Sequence, residues 1–320
     1  MATNIREIQL KYNTQQKCLN LLVDLRWGKT VTCPYCEKNK IRVIDALKKR
    51  YFCKSCKEQF SVFTNTIFEG TLLELPTWFQ IITLMLNAKS GMSAKEIQRN
   101  LGITYKTAYY TAMRIRVGML QENTCLNGII EMDESYFGGK YRKNNHKTNA
   151  NHPDLATVEY KRGRGTNKVS VVAMAQRKGK VVSKVIEKLS KRNLLNMLKT
   201  YAKQENSILV TDGFKSYHEL EKYIERLEIN HSKGFSRGIV HVNTVENFWS
   251  GVKSGIRGSF KAISKKYLPL YLLEFEWTFN HRFYKGNEFE SYLKNALTQE
   301  KSLEYWKAES VKQVKEVVYG

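Results

Sequence analysis

With 320 residues, 53 Lys and Arg against 30 Asp and Glu, and a formal charge of +23, the chain is long enough for two or three domains and strongly basic. The excess runs along the whole chain, so a polyanionic partner is expected, nucleic acid ahead of an anionic membrane. The longest apolar segment, Trp78 to Ala88, is too short to span a bilayer and is broken by Gln80. The opening MATNIREIQLKYN has no apolar stretch of a secretory signal, so a cytoplasmic protein is expected. In that reducing setting six cysteines ask for a metal before disulfides.

Residues 1–30 read as a helical segment, with one helix over Ile8 to Trp27. Cys18, Leu21, Leu22 and Leu25 share a face there, so Cys18 is a core residue. Residues 31–66 follow as a zinc ribbon. Cys33-Pro-Tyr-Cys36, sixteen residues, then Cys53-Lys-Ser-Cys56 is the spacing of two knuckles around one tetrahedral ion. Four thiolates leave no open position, so the expected Zn2+ is structural.

Residues 67–122 read as a helical, helix-turn-helix unit. A helix over Glu69 to Lys89 has Pro76 in its opening turn and an apolar stripe of Trp78, Ile81, Ile82, Met85 and Leu86. Ser93 and Glu96 form a capping box, Gly102 makes the turn, and Thr104 caps a second helix through Arg116. That helix would offer Tyr105, Lys106, Tyr109 and Arg114 to DNA, with Arg116 a further candidate. A plain helical domain has the same pattern; alternating basic and aromatic residues favour DNA. Asn123 to Asn127 reads as a linker, and Cys125 within it takes no role.

The catalytic features fall within 128–285. Ile129 to Lys140, IIEMDESYFGGK, is an apolar strand that runs into Glu131, Asp133 and Glu134 and stops at paired glycines. A basic insertion, 140–168, carries eight Lys or Arg against Asp154 and Glu159. Its end, with Lys161, Arg162, Arg164 and Lys168, is either a clamp on a DNA backbone or a solvated loop. A hairpin, Val169–Ala175 with Lys180–Glu187, a helix Asn193–Lys203 and a strand Ser207–Thr211 come next. Asp212-Gly213 closes that strand. HVNTVENFWSGVKSGIR is a helix with Asn243, Glu246, Ser250, Lys253 and Arg257 away from its apolar side. Strand, hairpin, helix, strand and helix make a mixed α/β sheet compatible with a ribonuclease-H-like arrangement.

Any one of these acids alone reads as a cap or a turn. Asp133, Asp212 and Glu246 together are what two divalent ions, Mg2+ or Mn2+, need to clamp the attacking and leaving oxygens of an in-line displacement. Asn243, one turn before Glu246, could reach the same ions. Glu134 should face the other side of the sheet, and Glu131 should share the face of Asp133 but lie deeper.

MDESYFGGK, KRGRGTNK before a strand, VTDGFKSY, HVNTVENFWSGVKSGIRGSF and EFEWTFNHR, in that order, resemble the transposases of bacterial insertion sequences. The similar group, the ISXO-like one related to eukaryotic Merlin transposases, joins an N-terminal zinc ribbon to a DDE-type domain. The resemblance covers roughly 30 to 285. It implies metal-dependent cutting at terminal inverted repeats and strand transfer into target DNA. It implies Asp133 and Asp212 as the first two catalytic acids, and Glu246, with Lys253 at the family's spacing, as the third; Asn243 is the alternate. The Arg142 to Tyr160 stretch departs from the pattern. Double-stranded DNA is then the partner, the assembly on DNA is at least a homodimer, and the protein is nucleoid-associated. The competing reading is a zinc-ribbon, helix-turn-helix DNA-binding protein with a domesticated or inactive nuclease domain. His231, His241 and His281 read as structural or phosphate-contacting residues. Leu268 to Phe283 is expected as a helix on the sheet, and 286–320 as a helical tail, peripheral or at a dimer contact.

Overall fold

The computed structural model of the protein describes residues 4–121, 124–138, 168–186, 189–229 and 241–298. The first helix of the sequence is two. α1 (Ile5–Lys11) and α2 (Gln15–Trp27) are separated at Asn13, and Thr14 caps α2 by accepting the N–H of Lys17. Cys18 lies in the core as expected, and burial pushes its thiol up to about 12. The ribbon strands β1 (Ile41–Asp45), β2 (Arg50–Cys53) and β3 (Gln59–Ser61) form an antiparallel sheet between α2 and α3 (Leu75–Asn87). The ribbon docks through Trp27, whose ring meets Tyr51 and Phe60 edge-on.

α4 (Ala94–Leu101) carries the capping box: Ser93 Oγ accepts the N–H of Glu96, and Glu96 accepts the N–H of Ser93. Gly102 turns the chain at a φ of +67°, in the left-handed region. α5 (Tyr105–Gly118) follows, capped by Thr104.

The second body is a five-stranded sheet. Its strands are β4 (Ile129–Phe137), β5 (Val169–Gln176), β6 (Val181–Ile186), β7 (Ile208–Asp212) and β8 (Glu225–Ile229), in the order β6-β5-β4-β7-β8. β4, β7 and β8 run parallel; β5 pairs antiparallel with β4, and β6 pairs antiparallel with β5 as the expected hairpin. β8 is absent from the sequence expectation. ERLEI is short, alternately charged and at an edge, so it carries almost no apolar signal. α6 (Lys191–Tyr201) and α7 (Lys215–His218) pack on one face, burying Leu194, Leu198 and Tyr217 against Met132 and Leu209. α8 (Asn243–Gly255) and one side of α9 (Leu268–Asn280) cover the other, where Trp249, Val252 and Leu272 meet Val171, Ala173 and Val210.

α9 does more than cover the sheet. Leu268, Leu272 and Phe275 belong to the sheet core, whereas Leu270, Leu273 and Trp277 belong to the helical core with Trp78 and Met113. Its side chains also satisfy the outer edge of β6. Glu276 accepts the N–H and hydroxyl of Ser183, and Asn280 accepts the N–H of Val181 at 2.7 Å. Burial pushes the Glu276 carboxyl up to about 8. α10 (Glu288–Thr298) is not peripheral. Phe289, Tyr292, Leu293 and Ala296 sit in the helical core, and the Tyr292 hydroxyl donates to the Ile115 carbonyl. No helix among the described residues is long and apolar enough to cross a membrane.

Candidate active site

β4 and β7 pair in parallel with Glu131 level with Val210. The same register carried two residues past the last paired residues puts Asp133 level with Asp212, where β7 ends and β4 continues along β5, and the two charges interact. Period-two alternation turns both toward α8. Glu134 faces the opposite side, where the Tyr217 hydroxyl donates to it at 2.8 Å.

Glu246 comes to these aspartates from α8. It lines a cavity of about 770 Å3 together with Asp133, Trp249, Ser250, Lys253 and Arg257. Glu246, Ser250, Lys253 and Arg257 recur at helical spacing, so one stripe of α8 and the turn after it forms the cavity wall. The Asp133 carboxyl is raised to about 7, first by burial, then by the charges of Glu134, Asp212 and Glu246. Like charges crowd there, and the ionised form of Asp133 is disfavoured until something positive arrives. Asp212 spends one oxygen on its own turn, accepting the N–H of Phe214 at 3.1 Å. Gly213 beside it leaves room for the Glu228 side chain, whose carboxylate oxygen lies 2.8 Å from where a Cβ would stand. Asn243 opens α8, exposed, and does not line the cavity.

Glu131 is the residue that sequence reasoning undervalued. It is fully buried, and its carboxylate accepts the N–H groups of Thr244 and Val245 at 2.7 and 3.1 Å and the Thr244 hydroxyl at 3.0 Å. α8 has no capping side chain of its own at Val242, so Glu131 caps it from the sheet. Arg177 closes the arrangement, its Nε 2.7 Å from Glu131 and its terminal nitrogen donating to the His241 carbonyl. His241 Nδ1 lies 3.4 Å from both a Glu131 oxygen and the Asn243 nitrogen; it can donate to the first or accept from the second, not both. Thus one buried carboxylate, two residues before Asp133, fixes the helix that bears Glu246. The available signal was an acid inside an apolar run, which must find partners if buried.

The residues expected to meet DNA divide. Lys106 is exposed on α5, near exposed Tyr105 and Tyr110. Tyr109 is half-buried between Tyr105 and Tyr267. Arg114 is turned into the protein, donating to the Glu69 carbonyl and lying over the Trp78 ring. Arg116 is 1% exposed, so its expected presentation to DNA is corrected: it is paired with Glu274 of α9. Arg257 and Lys168 are on the surface of a second pocket beside the first, whereas Lys161, Arg162, Arg164 and His231 lie outside the described residues. His281 stacks on Trp277 at 3.9 Å and bonds to its carbonyl, as a structural histidine does.

The four ribbon cysteines make a second centre. All four sulfurs lie within 4.8 Å of one another, with Cys33 to Cys56 and Cys36 to Cys53 both 3.6 Å apart. Tetrahedral Zn–S bonds of about 2.3 Å require edges of about 3.8 Å, so the donor set fits a zinc ion. The knuckles are built alike. Glu37 and Lys57, each just after a second cysteine, take φ values of +58° and +67°, and each donates its N–H to the first cysteine's carbonyl. Purified protein is expected to hold one zinc per chain by elemental analysis. Cys53→Ser should lose it, along with amide protection over 31–61, while the helical core stays folded. Full zinc content in that variant would contradict this centre.

Residues 125–280 match the ISXO2-like transposase domain family, and residues 13–59 match the transposase zinc-ribbon domain family. An uncharacterized protein in the transposable element ISH50 of Halobacterium salinarum is 27% identical over 82% of this chain and 90% of its own length. An uncharacterized transposase-like protein of Haemophilus influenzae is 34% identical over 32% of this chain and 84% of its own. The crystal structure of a pre-cleavage Mos1 transpososome aligns over 92% of this chain and 99% of its own at 12% identity and a TM-score of 0.22, too slight a likeness to bear on the fold.

Proposed function

The chain belongs to the ISXO2-like transposase family of insertion sequences, and we propose that it cuts DNA at the terminal inverted repeats of its element and joins the freed 3′ ends to target DNA. The observation that carries this reading is the meeting of Asp133 and Glu246 in one cavity, with Asp212 level with Asp133 on the next strand. In this reading the sheet body is a ribonuclease-H-like catalytic domain. Its three parallel strands and antiparallel hairpin support that, as does an acid on each of the two central parallel strands. α4 and α5, joined at Gly102, act as the helix-turn-helix, with Lys106 and Tyr109 toward DNA.

Asp133, Asp212 and Glu246 would hold two divalent ions, Mg2+ or Mn2+. The crowding that raises the Asp133 carboxyl is the fit: such cations neutralise a cluster that otherwise repels itself. When bound they supply Lewis-acid activation of the attacking oxygen and charge stabilisation of the leaving 3′-oxygen. The chain's own groups position the rest. Lys253 and Arg257, four residues apart on the cavity wall, hold phosphate oxygens of the strand. Glu131 and Arg177 keep α8 at its distance from β4. Glu246 is preferred over Asn243 as third ligand because it lines the cavity and raises the Asp133 carboxyl. The zinc ribbon and the basic surface hold duplex DNA, and pairing two ends asks for a homodimer or larger assembly.

The test is incubation of folded, zinc-loaded protein with a labelled end of its own element. Cut 3′ ends and joined products should form with Mg2+ or Mn2+ and vanish with a chelator. Tight, salt-dependent binding without cutting under either metal would overturn the enzyme reading in favour of a DNA-binding protein. A pH prediction follows from Asp133. Its carboxyl, raised to about 7, must lose a proton before a cation binds. Mn2+ affinity, measured by titration calorimetry, should therefore fall as pH drops through 7 and level off above it. An affinity flat from pH 8 to 6 would count against Asp133 as a ligand.

A further inference from the structure

Beside the acid cavity lies a second pocket of about 330 Å3, within the size range of small-ligand sites. The two share Lys253 and Arg257. Away from that shared wall the lining cations are Lys168, Lys261 and Lys265, and no acidic residue lines the pocket among the described residues. The rest is largely apolar: Phe137, Ile256, Ile263 and Leu268 line it and belong to or pack on the sheet core.

The backbone that shapes it is irregular. α8 runs into a π-helical turn, Ile256–Phe260, and Lys261 follows at φ +61° and ψ −47°. A residue with a side chain adopts that conformation only at a cost, and widened turns and strained residues gather at ligand sites. The surrounding packing fixes the turn, because the Phe260 ring occupies the place a Cβ on Gly91 would take, 2.6 Å away.

Five cations around an apolar floor repel metal ions and leave a bare phosphate with nothing against the floor. They suit a planar, weakly polar ring that carries a phosphate at its edge, which is the chemistry of a nucleotide. We propose that this pocket is a nucleotide subsite. It takes one unstacked nucleotide of the DNA strand next to the reacting phosphodiester, with the base against Phe137, Ile256 and Ile263 and the phosphate at Lys253, Arg257 and Lys261. This rests on the transposase reading and deepens it. The shared Lys253 and Arg257 make the subsite a register stop: seating one nucleotide there sets which phosphodiester enters the acid cavity.

The probe is the element's end with 2-aminopurine placed at one position at a time near the cut, bound with Ca2+ in place of Mg2+. One position should brighten several-fold on binding, as a base leaving the stack does, and its neighbours should not. Ile263→Asp and Lys261→Glu should abolish that signal and weaken binding about ten-fold. With Mg2+ they should also scatter the cutting position, which a merely structural change would not do. Thermal unfolding controls for folding. If wild type cuts but no position brightens, or if Lys261→Glu keeps both signal and cutting register, the subsite is overturned and the transposase reading stands. If wild type neither binds nor cuts, both fall.

Discussion

Glu131→Ala is expected to lower unfolding free energy by about 3 kcal/mol and to slow cutting by roughly 100-fold, although Glu131 touches neither DNA nor cation in the proposed chemistry. Two terms add. Removing the carboxylate leaves Arg177, largely buried, without its counter-charge, and strips the N–H groups of Thr244 and Val245 of their acceptor. The first is the loss of one partner from a buried pair; the second is the loss of a helix cap, about 1 kcal/mol. The rate effect comes through position. α8 bears Glu246 directly after the capped residues, so loosening its start moves that carboxylate relative to Asp133. Glu131→Gln keeps an acceptor for the helix and gives up the charge, so both effects should be smaller. Urea unfolding and single-turnover cutting measure the two. A stability change under about 0.5 kcal/mol for the alanine variant would show that the cap is supplied elsewhere.

The second large effect is expected at Arg116. Its guanidinium donates from Nε to Glu274 at 2.7 Å and from a terminal nitrogen to the Met92 carbonyl at 3.0 Å, and it lies 4.1 Å from the Tyr271 ring centre. Glu274 also accepts the Met92 N–H, so α5, α9 and the segment before α4 meet at one ion pair. Both side chains are almost fully buried. Arg116→Met leaves Glu274 charged and unpaired inside, which costs about 3–5 kcal/mol. The double variant, Arg116→Met with Glu274→Leu, should recover most of that loss, because it removes the stranded charge. Equal losses in single and double variants would mean that the cost is packing and not electrostatics. Because α9 bridges the helical and sheet cores, the single variant should also lose cooperativity between them in unfolding.

The sequence was most readable where chemistry imposes local spacing. Two Cys-x2-Cys pairs state their geometry within 24 residues, and the structure brings the four sulfurs together. Asp133 and Asp212 were legible because each follows an apolar run, and parallel pairing of those runs brings them level. The misses share a cause: partners far away in the chain. Arg116 sits on a basic helix face and reads as a DNA contact; its partner, Glu274, is 158 residues on. Glu131 reads as a spare acid beside Asp133 until α8, 113 residues later, is laid across it. LPLYLLEFEWTF is apolar on nearly all sides, which signals a helix buried on two faces. Its position after the α8 motif points to only one of them, the face on the sheet. α10 shows a clear apolar stripe, but nothing local says that the stripe completes a core begun at α1.

The most direct test of the three-carboxylate centre is the single-turnover rate of cutting an element end, with Mg2+ and with Mn2+. Wild type would be compared with Asp133→Asn, Asp212→Asn, Glu246→Gln and Asn243→Ala. Each of the first three should lose about a thousand-fold or more while binding DNA as wild type does, and Asn243→Ala should lose far less. Cutting at near wild-type rates by Asp133→Asn or Asp212→Asn, in folded and zinc-loaded protein, would contradict the centre outright.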